Sequence, residues 1–238
     1  MKQTVILSIV ALVACLVGDG FCISRGTTVT NLNGFEYHVA VLCPLYTCNG
    51  AIVSSRNVLT TASCMNLLRP ENVDVYAGST QYQSGGVSYA VSNIRWHPSF
   101  RLLTNEANIA ILEVSTPFDY SQGILPIPLA SALAPTNTFI IGTGYGAVDG
   151  ILTYPDYLQK VSLQQFDRNI CVQYYGSRLL SSMFCAGDVS GLKDLCTGDE
   201  GAPVKYSNQL VGIYSWGGRC GTFDDDQSSI TSSLIRYL

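Results

Sequence analysis

The cysteines constrain the fold of this chain more than any other feature of its sequence. The chain has 238 residues and nine cysteines, and seven of the cysteines follow residue 22. In a chain that enters an oxidising compartment, most of these thiols are expected to pair as disulfides. Their spacing alone does not fix which cysteines pair. The seven positions are Cys43, Cys48, Cys64, Cys171, Cys185, Cys196 and Cys220.

The first 22 residues indicate the compartment. Lys2 precedes an apolar run over residues 5–17, and the small residues Gly20 and Cys22 follow it. Because the run is too short to span a bilayer, it is typical of a signal peptide and not of a membrane anchor. We expect residues 1–22 to be removed, by a cut after Gly20 or after Cys22, and the remaining chain to be secreted.

The composition favours one fold class and argues against some classes of partner. Charged residues make up 13% of the chain, which has 22 glycines and 14 tyrosines, and this favours an all-β globular protein. A net charge of −4 without clusters of lysine and arginine argues against nucleic acid, heparin or an anionic membrane as partner. The acidic run Asp224, Asp225 and Asp226 does not match the ligand spacing of a calcium loop, so we expect a solvated turn, no metal and no cofactor.

Three short blocks carry the strongest signal for a known family. The blocks are Thr60-Thr61-Ala62-Ser63-Cys64, Asn105-Glu106-Ala107-Asn108-Ile109-Ala110-Ile111-Leu112 and Cys196-Thr197-Gly198-Asp199-Glu200-Gly201-Ala202-Pro203-Val204. They resemble the histidine, aspartate and serine blocks of the trypsin/chymotrypsin serine proteases. The resemblance runs from Ile23 to Leu238. It implies two six-stranded antiparallel β-barrels packed together, the first over about residues 23–120 and the second over about residues 121–238.

The same resemblance implies a disulfide connectivity. Separations of 16, 14 and 24 residues match the three core bridges of the family, and the implied pairs are Cys48–Cys64, Cys171–Cys185 and Cys196–Cys220. Cys43 is then left over, either as a buried thiol or as an intermolecular link.

All three positions of the family's catalytic triad hold other residues. Ser63 stands where the family has its general base, and a serine hydroxyl cannot accept a proton at neutral pH. Asn108 replaces the orienting aspartate, a change that costs about 10⁴ in rate even beside an intact histidine and serine. Glu200 replaces the nucleophile and has no hydroxyl with which to attack. The two histidines of the chain, His38 and His97, lie elsewhere and are expected to be structural or surface residues.

The family also activates its site through the chain terminus. Ile23 stands at the position of the family's freed N-terminus, and Asp199 stands at the position of the carboxylate that pairs with it. No lysine or arginine precedes Ile23, so the usual activating cut has no site. Signal-peptide removal after Cys22 would free Ile23 directly, and otherwise the pairing does not form.

The resemblance also locates a former substrate pocket. Gly198 matches an oxyanion-hole donor, and Asp194 matches the carboxylate that selects lysine or arginine in a trypsin. Leu195 and Tyr214 stand where smaller side chains line the pocket, so we expect them to exclude a basic side chain. The strand that pairs with substrate backbone in the family corresponds to Ser215, Trp216 and Gly217.

These replacements predict a secreted, catalytically inactive serine protease homolog that acts by binding proteins. Among inactive homologs the chain resembles the scabies-mite inactivated protease paralogues, relatives of the mite group 3 allergens, which implies interference with host complement. One alternative is a non-catalytic cofactor of an arthropod protease cascade, although the chain lacks the clip domain usual in those proteins. A second is an enzyme with new chemistry that uses Glu200 with Asp199. The oligomeric state is left open.

Overall fold

The computed structural model describes residues 26–148, 153–190, 193–217 and 232–235, and in the last range it describes only the backbone. Strands dominate this part of the chain, and two short α-helices, α1 (Ala62–Met65) and α2 (Arg168–Tyr175), interrupt them. The strands are β1 (Thr27–Thr28), β2 (His38–Leu42), β3 (Thr47–Ile52), β4 (Asn57–Thr60), β5 (Asp74–Ala77), β6 (Val87–Trp96), β7 (Ala110–Val114), β8 (Phe139–Gly144), β9 (Gln159–Gln165), β10 (Met183–Gly187), β11 (Pro203–Tyr206), β12 (Gln209–Gly217) and β13 (Ser232–Ile235). Short 3₁₀ turns lie at Pro70–Asn72, Tyr120–Gln122 and Gly176–Arg178.

Six strands close into the first barrel in the order β2-β3-β4-β7-β6-β5. All the pairings are antiparallel, and β2 closes the ring because it pairs with both β3 and β5. Along β6, Tyr89 and Val91 are buried while Ser88 and Ala90 are exposed. This two-residue period is the pattern of a strand that packs one face on a core. The predicted all-β fold and its first barrel are confirmed.

The second sheet has seven strands in the order β1-β9-β10-β13-β12-β11-β8, and β8 also pairs with β9. This pairing joins six strands in a ring and leaves β1 outside it. Thr27 and Thr28 of β1 pair with Lys160 and Gln159 of β9. The sequence assigned the chain from about residue 23 to the first barrel, but these two residues join the second sheet, because β9 has an open edge there.

Apolar side chains hold the two barrels together as well as filling each one. Each barrel has its own buried cluster, and a third cluster contains residues of both. Phe35 and Tyr37 before β2 pack in that third cluster with Leu158, Leu210 and Ile213 of the second half. Full burial of such a side chain contributes about 1.5–3 kcal/mol. The junction between the barrels is therefore a packed interface, and the candidate site lies along it.

Two of the three predicted disulfides are confirmed. Cys48–Cys64 joins β3 to α1, and Cys171–Cys185 joins α2 to β10. In the chain-entropy account, closing a loop of this length stabilises the folded state by about 3 kcal/mol. Cys220 lies outside the described residues, so its predicted bridge to Cys196 stays a prediction.

Candidate functional site at the junction of the barrels

Glu200 lies in a tight loop that leads into β11. The loop contains Gly198 with φ +92° and Gly201 with φ +82°, a backbone region that glycine adopts without the penalty of a side chain. A Cβ atom on Gly201 would collide with the carbonyl oxygen of Asn49 in β3. The backbone N–H of Asn49 donates to the carbonyl of Glu200 at 2.8 Å. The loop of the second barrel is thus fixed against a strand of the first.

The predicted base position and orienting position lie in direct contact. Asn108 is fully buried, and its Oδ1 accepts a hydrogen bond from the backbone N–H of Ser63 at 2.7 Å. Its Nδ2 donates to Ser63 Oγ at 3.0 Å and to Ser215 Oγ at 2.8 Å. The cluster contains a carboxamide and two hydroxyls but no imidazole and no carboxylate. None of these groups takes up a proton near neutral pH.

The side chain of Glu200 turns back over its own loop. The backbone N–H of Gly198, the predicted oxyanion-hole donor, donates to Glu200 Oε2 at 2.9 Å. A carboxylate of the chain itself therefore takes the hydrogen bond that the resemblance assigns to a reaction intermediate. Glu200 and Ser63 line the same cleft, so the structure brings all three replaced triad positions to one place.

The environment of Glu200 shifts its ionisation. Burial raises the pKa of its carboxyl group, and the backbone N–H groups of Glu200 and Gly198 oppose part of the rise. A hydrogen bond to a carboxylate favours its charged form, whereas removal from water disfavours it. Here the loss of water is the larger effect.

Asp199, the predicted partner of a free N-terminus, is fully buried. Its Oδ1 accepts a hydrogen bond from the N–H of Gly146 at 2.8 Å, and its Oδ2 accepts one from the N–H of Cys196 at 2.8 Å. A Cβ atom on Gly146 would collide with this carboxylate, so the glycine is needed for the close approach. Ile23 lies outside the described residues, and its pairing with Asp199 stays a prediction.

The pocket residues Asp194, Leu195 and Tyr214 are all buried. Leu195 and Tyr214 belong to the apolar cluster of the second barrel, and Leu195 packs against Gly142 of β8. Leu195 thus packs into the barrel core, where the absence of a side chain at Gly142 leaves room for it, and its exclusion of a basic side chain stays a prediction. Burial raises the pKa of the Tyr214 hydroxyl, and the nearby Asp194 carboxylate raises it further.

The predicted substrate-binding strand is the end of β12. Ser215 is held by Asn108, and the half-buried Trp216 is covered by two side chains of the second half. The guanidinium of Arg178 lies 4.6 Å from the ring centroid of Trp216, and the ring of Tyr175 meets it edge-on at 5.1 Å. The cation–π contact with Arg178 occupies a face of the Trp216 ring. Gly217 is half-buried and pairs with Ser232 of β13.

Asn49 is a site residue that the sequence motifs did not identify. It is fully buried, and its Nδ2 donates to the carbonyl of Gly198 at 2.8 Å. Its Oδ1 accepts from the N–H of Tyr145 at 3.1 Å. One side chain of the first barrel thus holds two backbone segments of the second. A carboxamide in the middle of β3, at a position that is fully buried, was the available signal.

The cleft beside Glu200 has a volume of about 700 Å³ and was also not anticipated. Four tyrosines line it, together with Leu45 and Cys43. Burial raises the pKa of the Cys43 thiol to about 12, and in the described part of the chain Cys43 forms no disulfide. The tyrosines are Tyr46, Tyr82, Tyr145 and Tyr154.

The two histidines lie away from the triad positions. His38 is buried at the barrel junction, where its Nδ1 lies 3.0 Å from Thr143 Oγ1 and its ring meets Tyr145 edge-on. Burial lowers the pKa of its imidazole to about 3, and a hydrogen bond with the Asn49 side chain, which favours the charged ring, opposes part of the shift. His97 is exposed.

Within the described ranges there is neither a metal site nor a membrane-spanning helix. These ranges contain no group of three or more histidine, cysteine or acidic side chains suited to a metal ion, and Asp224, Asp225 and Asp226 lie outside them. Of the helices described, none has the length and apolar character needed to cross a membrane.

Comparison with known proteins gives consistent results. A family model described as Trypsin matches residues 24–225. A trypsin of Sarcophaga bullata is 30% identical over 226 residues, which cover 90% of this chain and 88% of that protein. A trypsin of Phaedon cochleariae is 34% identical over 181 residues, covering 73% of this chain and 69% of that protein.

A solved structure shares the fold. The crystal structure of scabies mite inactivated protease paralogue S-D1 matches with a TM-score of 0.79 and 23% sequence identity, and the match covers 89% of this chain and 91% of that one. The two-barrel architecture expected from the motifs is thereby confirmed.

Proposed function

The chain belongs to the trypsin family, and we propose that it is a member without protease activity that acts by binding another protein. The observation that carries the proposal is the hydrogen bond from the Gly198 N–H to the Glu200 carboxylate. In the family's mechanism a hydroxyl attacks the substrate and this N–H stabilises the oxyanion that forms. Here the attacking group is absent and the donor is already engaged by a negative charge.

The neighbouring residues support the same conclusion. The residue at the base position is Ser63, whose hydroxyl accepts a hydrogen bond from the Asn108 carboxamide and cannot take up a proton at neutral pH. In proteases with this mechanism, loss of the triad residues costs about 10⁶ in kcat. The carboxylate of Asp194, at the former specificity position, is itself fully buried and out of reach of a substrate side chain. Substrate binding and chemistry are therefore both opposed.

The proposal extends to the compartment and the partner. We place the protein outside the cell because residues 1–22 have the pattern of a signal peptide and two disulfides form. The proposed partner is a component of host complement, an assignment that rests on the resemblance to the inactivated mite paralogues. A two-barrel scaffold that presents surface loops is suited to such binding.

The absence of catalysis is tested with an active-site label and with substrates. The purified protein is incubated with a fluorophosphonate probe, which labels an activated serine, and with a peptide library. We expect neither labelling nor turnover in the wild type or in Glu200→Ser, because Ser63 and Asn108 supply no base. Peptidase activity in Glu200→Ser would refute the argument. Turnover of any substrate that is lost in Glu200→Gln would instead establish new chemistry at Glu200.

The binding function is tested by capture. The immobilised protein is exposed to mammalian serum and, separately, to arthropod haemolymph, and a trypsin with its catalytic serine changed to alanine serves as a control of the same fold. We expect selective capture of complement components, identified by mass spectrometry, and reduced lysis in a complement assay. Selective capture of a clotting or melanisation protease from haemolymph would replace the complement assignment with the cascade-cofactor alternative. No selective capture from either fluid would contradict the proposal.

A further inference from the structure

The cleft beside Glu200 has one charged side chain in an aromatic surrounding. Of the residues that line it in the described part of the chain, only Glu200 carries a charge at neutral pH. The volume of about 700 Å³ lies within the range of cavities that hold a ligand. Glu200 is half-buried and lines the cleft, so a group that enters the cleft can contact it.

The aromatic wall is held in place by hydrogen bonds of its hydroxyl groups. Tyr46 donates to the carbonyl of Cys64 at 2.6 Å, and Tyr145 donates to the carbonyl of Ser79 at 3.1 Å. The rings of Tyr82 and Tyr145 lie 5.5 Å apart, and their positions are thus fixed before any ligand binds. Rings that are already ordered lose little conformational entropy on binding. The face of an aromatic ring also attracts a cation.

The charge of Glu200 has no counterpart within the chain as described. The salt bridges among the described residues are Arg69–Glu71 and Arg95–Glu113, and neither includes Glu200. A carboxylate withdrawn from water and facing an aromatic cleft is stabilised by a cation that brings its own hydrogen-bond donors. The chain as a whole has a net charge of −4, which also favours a basic partner.

We propose that this cleft takes an arginine side chain presented by a loop of the partner protein, with the guanidinium paired to Glu200 and stacked on the tyrosine wall. The inference rests on the proposed binding function and names the chemistry of its partner. A guanidinium is planar and weakly hydrated, so it combines carboxylate pairing with stacking better than an ammonium group does. Leu45, Tyr46 and Tyr154 are exposed at the cleft, with 94% of Leu45 accessible, and offer apolar contact to the loop that carries the arginine.

The test measures binding of blocked tripeptides with arginine, lysine or citrulline between two glycines, by isothermal titration calorimetry. Citrulline keeps the shape of arginine and removes its charge. We expect the arginine peptide to bind about tenfold more tightly than the citrulline peptide, the effect of one charge-assisted hydrogen bond. We expect the lysine peptide to bind with intermediate affinity.

Two variants separate the cleft from the rest of the surface. Glu200→Gln keeps the acceptor for the Gly198 N–H but removes the charge, and we expect it to abolish the preference for arginine over citrulline. Glu106→Gln removes an exposed carboxylate outside the cleft and should keep that preference. Thermal unfolding of each variant verifies that it is folded.

The outcomes distinguish this inference from the proposed function. Equal binding of arginine and citrulline peptides, or an unchanged preference in Glu200→Gln, would overturn the arginine cleft, and selective protein capture would then have to occur through another face. Equal binding of the lysine and arginine peptides would overturn the guanidinium assignment. Protease turnover by the wild type would instead overturn the proposed function itself.

Discussion

Acid should destabilise this protein through one buried histidine. His38 is 3% exposed and packs between the barrels against Thr143, Tyr145 and the side chain of Asn49. Its pKa is lowered from 6.5 to about 3, so in the folded chain the imidazole stays neutral at pH values where it is charged in the unfolded chain. Between these two values the unfolded chain binds more protons. Folding stability is therefore complete above about pH 6.5 and is lost progressively as the pH falls.

The magnitude follows from the two pKa values. For a histidine that titrates at 6.5 when unfolded and at about 3 when folded, lowering the pH from 7.5 to 5 costs about 2 kcal/mol of unfolding free energy. In a domain of this size, such a loss corresponds to a fall of about 4–8 °C in Tm. Other groups also titrate over this range, so the contribution of His38 has to be isolated by a variant.

The assay is urea denaturation, followed by circular dichroism, at pH values from 7.5 to 5. His38→Gln keeps a polar side chain beside Thr143 but does not take up a proton, and we expect its stability to fall less with decreasing pH than that of the wild type, by about 2 kcal/mol over the range. His97→Gln, at an exposed position, is the matched control and should follow the wild type. Parallel pH profiles for the wild type and His38→Gln would refute the argument.

Three further changes test the loop and the cleft. Asn49→Ala leaves the Gly198 carbonyl and the Tyr145 N–H without their side-chain partner, so urea denaturation should show a loss of about 2–4 kcal/mol in unfolding free energy; unchanged stability would argue against the role of Asn49. Because burial raises the pKa of Glu200, this carboxyl group keeps its proton to higher pH in the folded chain than in the unfolded chain. The stability of the wild type should therefore fall as the pH rises from the unfolded-state pKa of Glu200 to its folded-state pKa. Glu200→Gln should remove that fall, and pH profiles with the same slope in both proteins would contradict it. Burial raises the pKa of the Cys43 thiol from 9.0 to about 12, so less of it is thiolate at pH 8 and it should react with iodoacetamide about a thousandfold more slowly than an ordinary thiol. Mass spectrometry of the labelled protein over time measures this rate. A rate equal to that of the urea-unfolded protein would be incompatible with this burial.

The sequence predicted those features that depend on backbone path. Cysteine separations matched to a known family gave the Cys48–Cys64 and Cys171–Cys185 bridges, and the motif blocks gave two barrels. Ser63 and Asn108 are 45 residues apart in sequence, yet the motifs placed them together because each block has a fixed position on the barrel. Such features follow from local sequence combined with one known topology.

Contacts between side chains from different blocks could not be predicted in the same way. The Glu200 carboxylate accepts a hydrogen bond from the Gly198 N–H, and the carbonyl of Gly198 is held by Asn49 from 149 residues away. The stacking of Arg178 on Trp216 joins two blocks that no motif relates. A motif specifies the backbone at each place, whereas the choice of rotamer depends on neighbours that only the fold brings close.

The loop around Glu200 shows why a protease motif is evidence for a fold and not for its chemistry. Gly201 is required because a side chain there would collide with Asn49, and Gly146 is required because Asp199 approaches its backbone. Asp199 in turn accepts hydrogen bonds from two backbone N–H groups, those of Gly146 and Cys196, which would otherwise be buried without a partner. None of these contacts involves the side chain at position 200. The glycines and the aspartate therefore stabilise the loop whichever residue stands there, and the catalytic interpretation depends on Ser63, Asn108 and Glu200 alone.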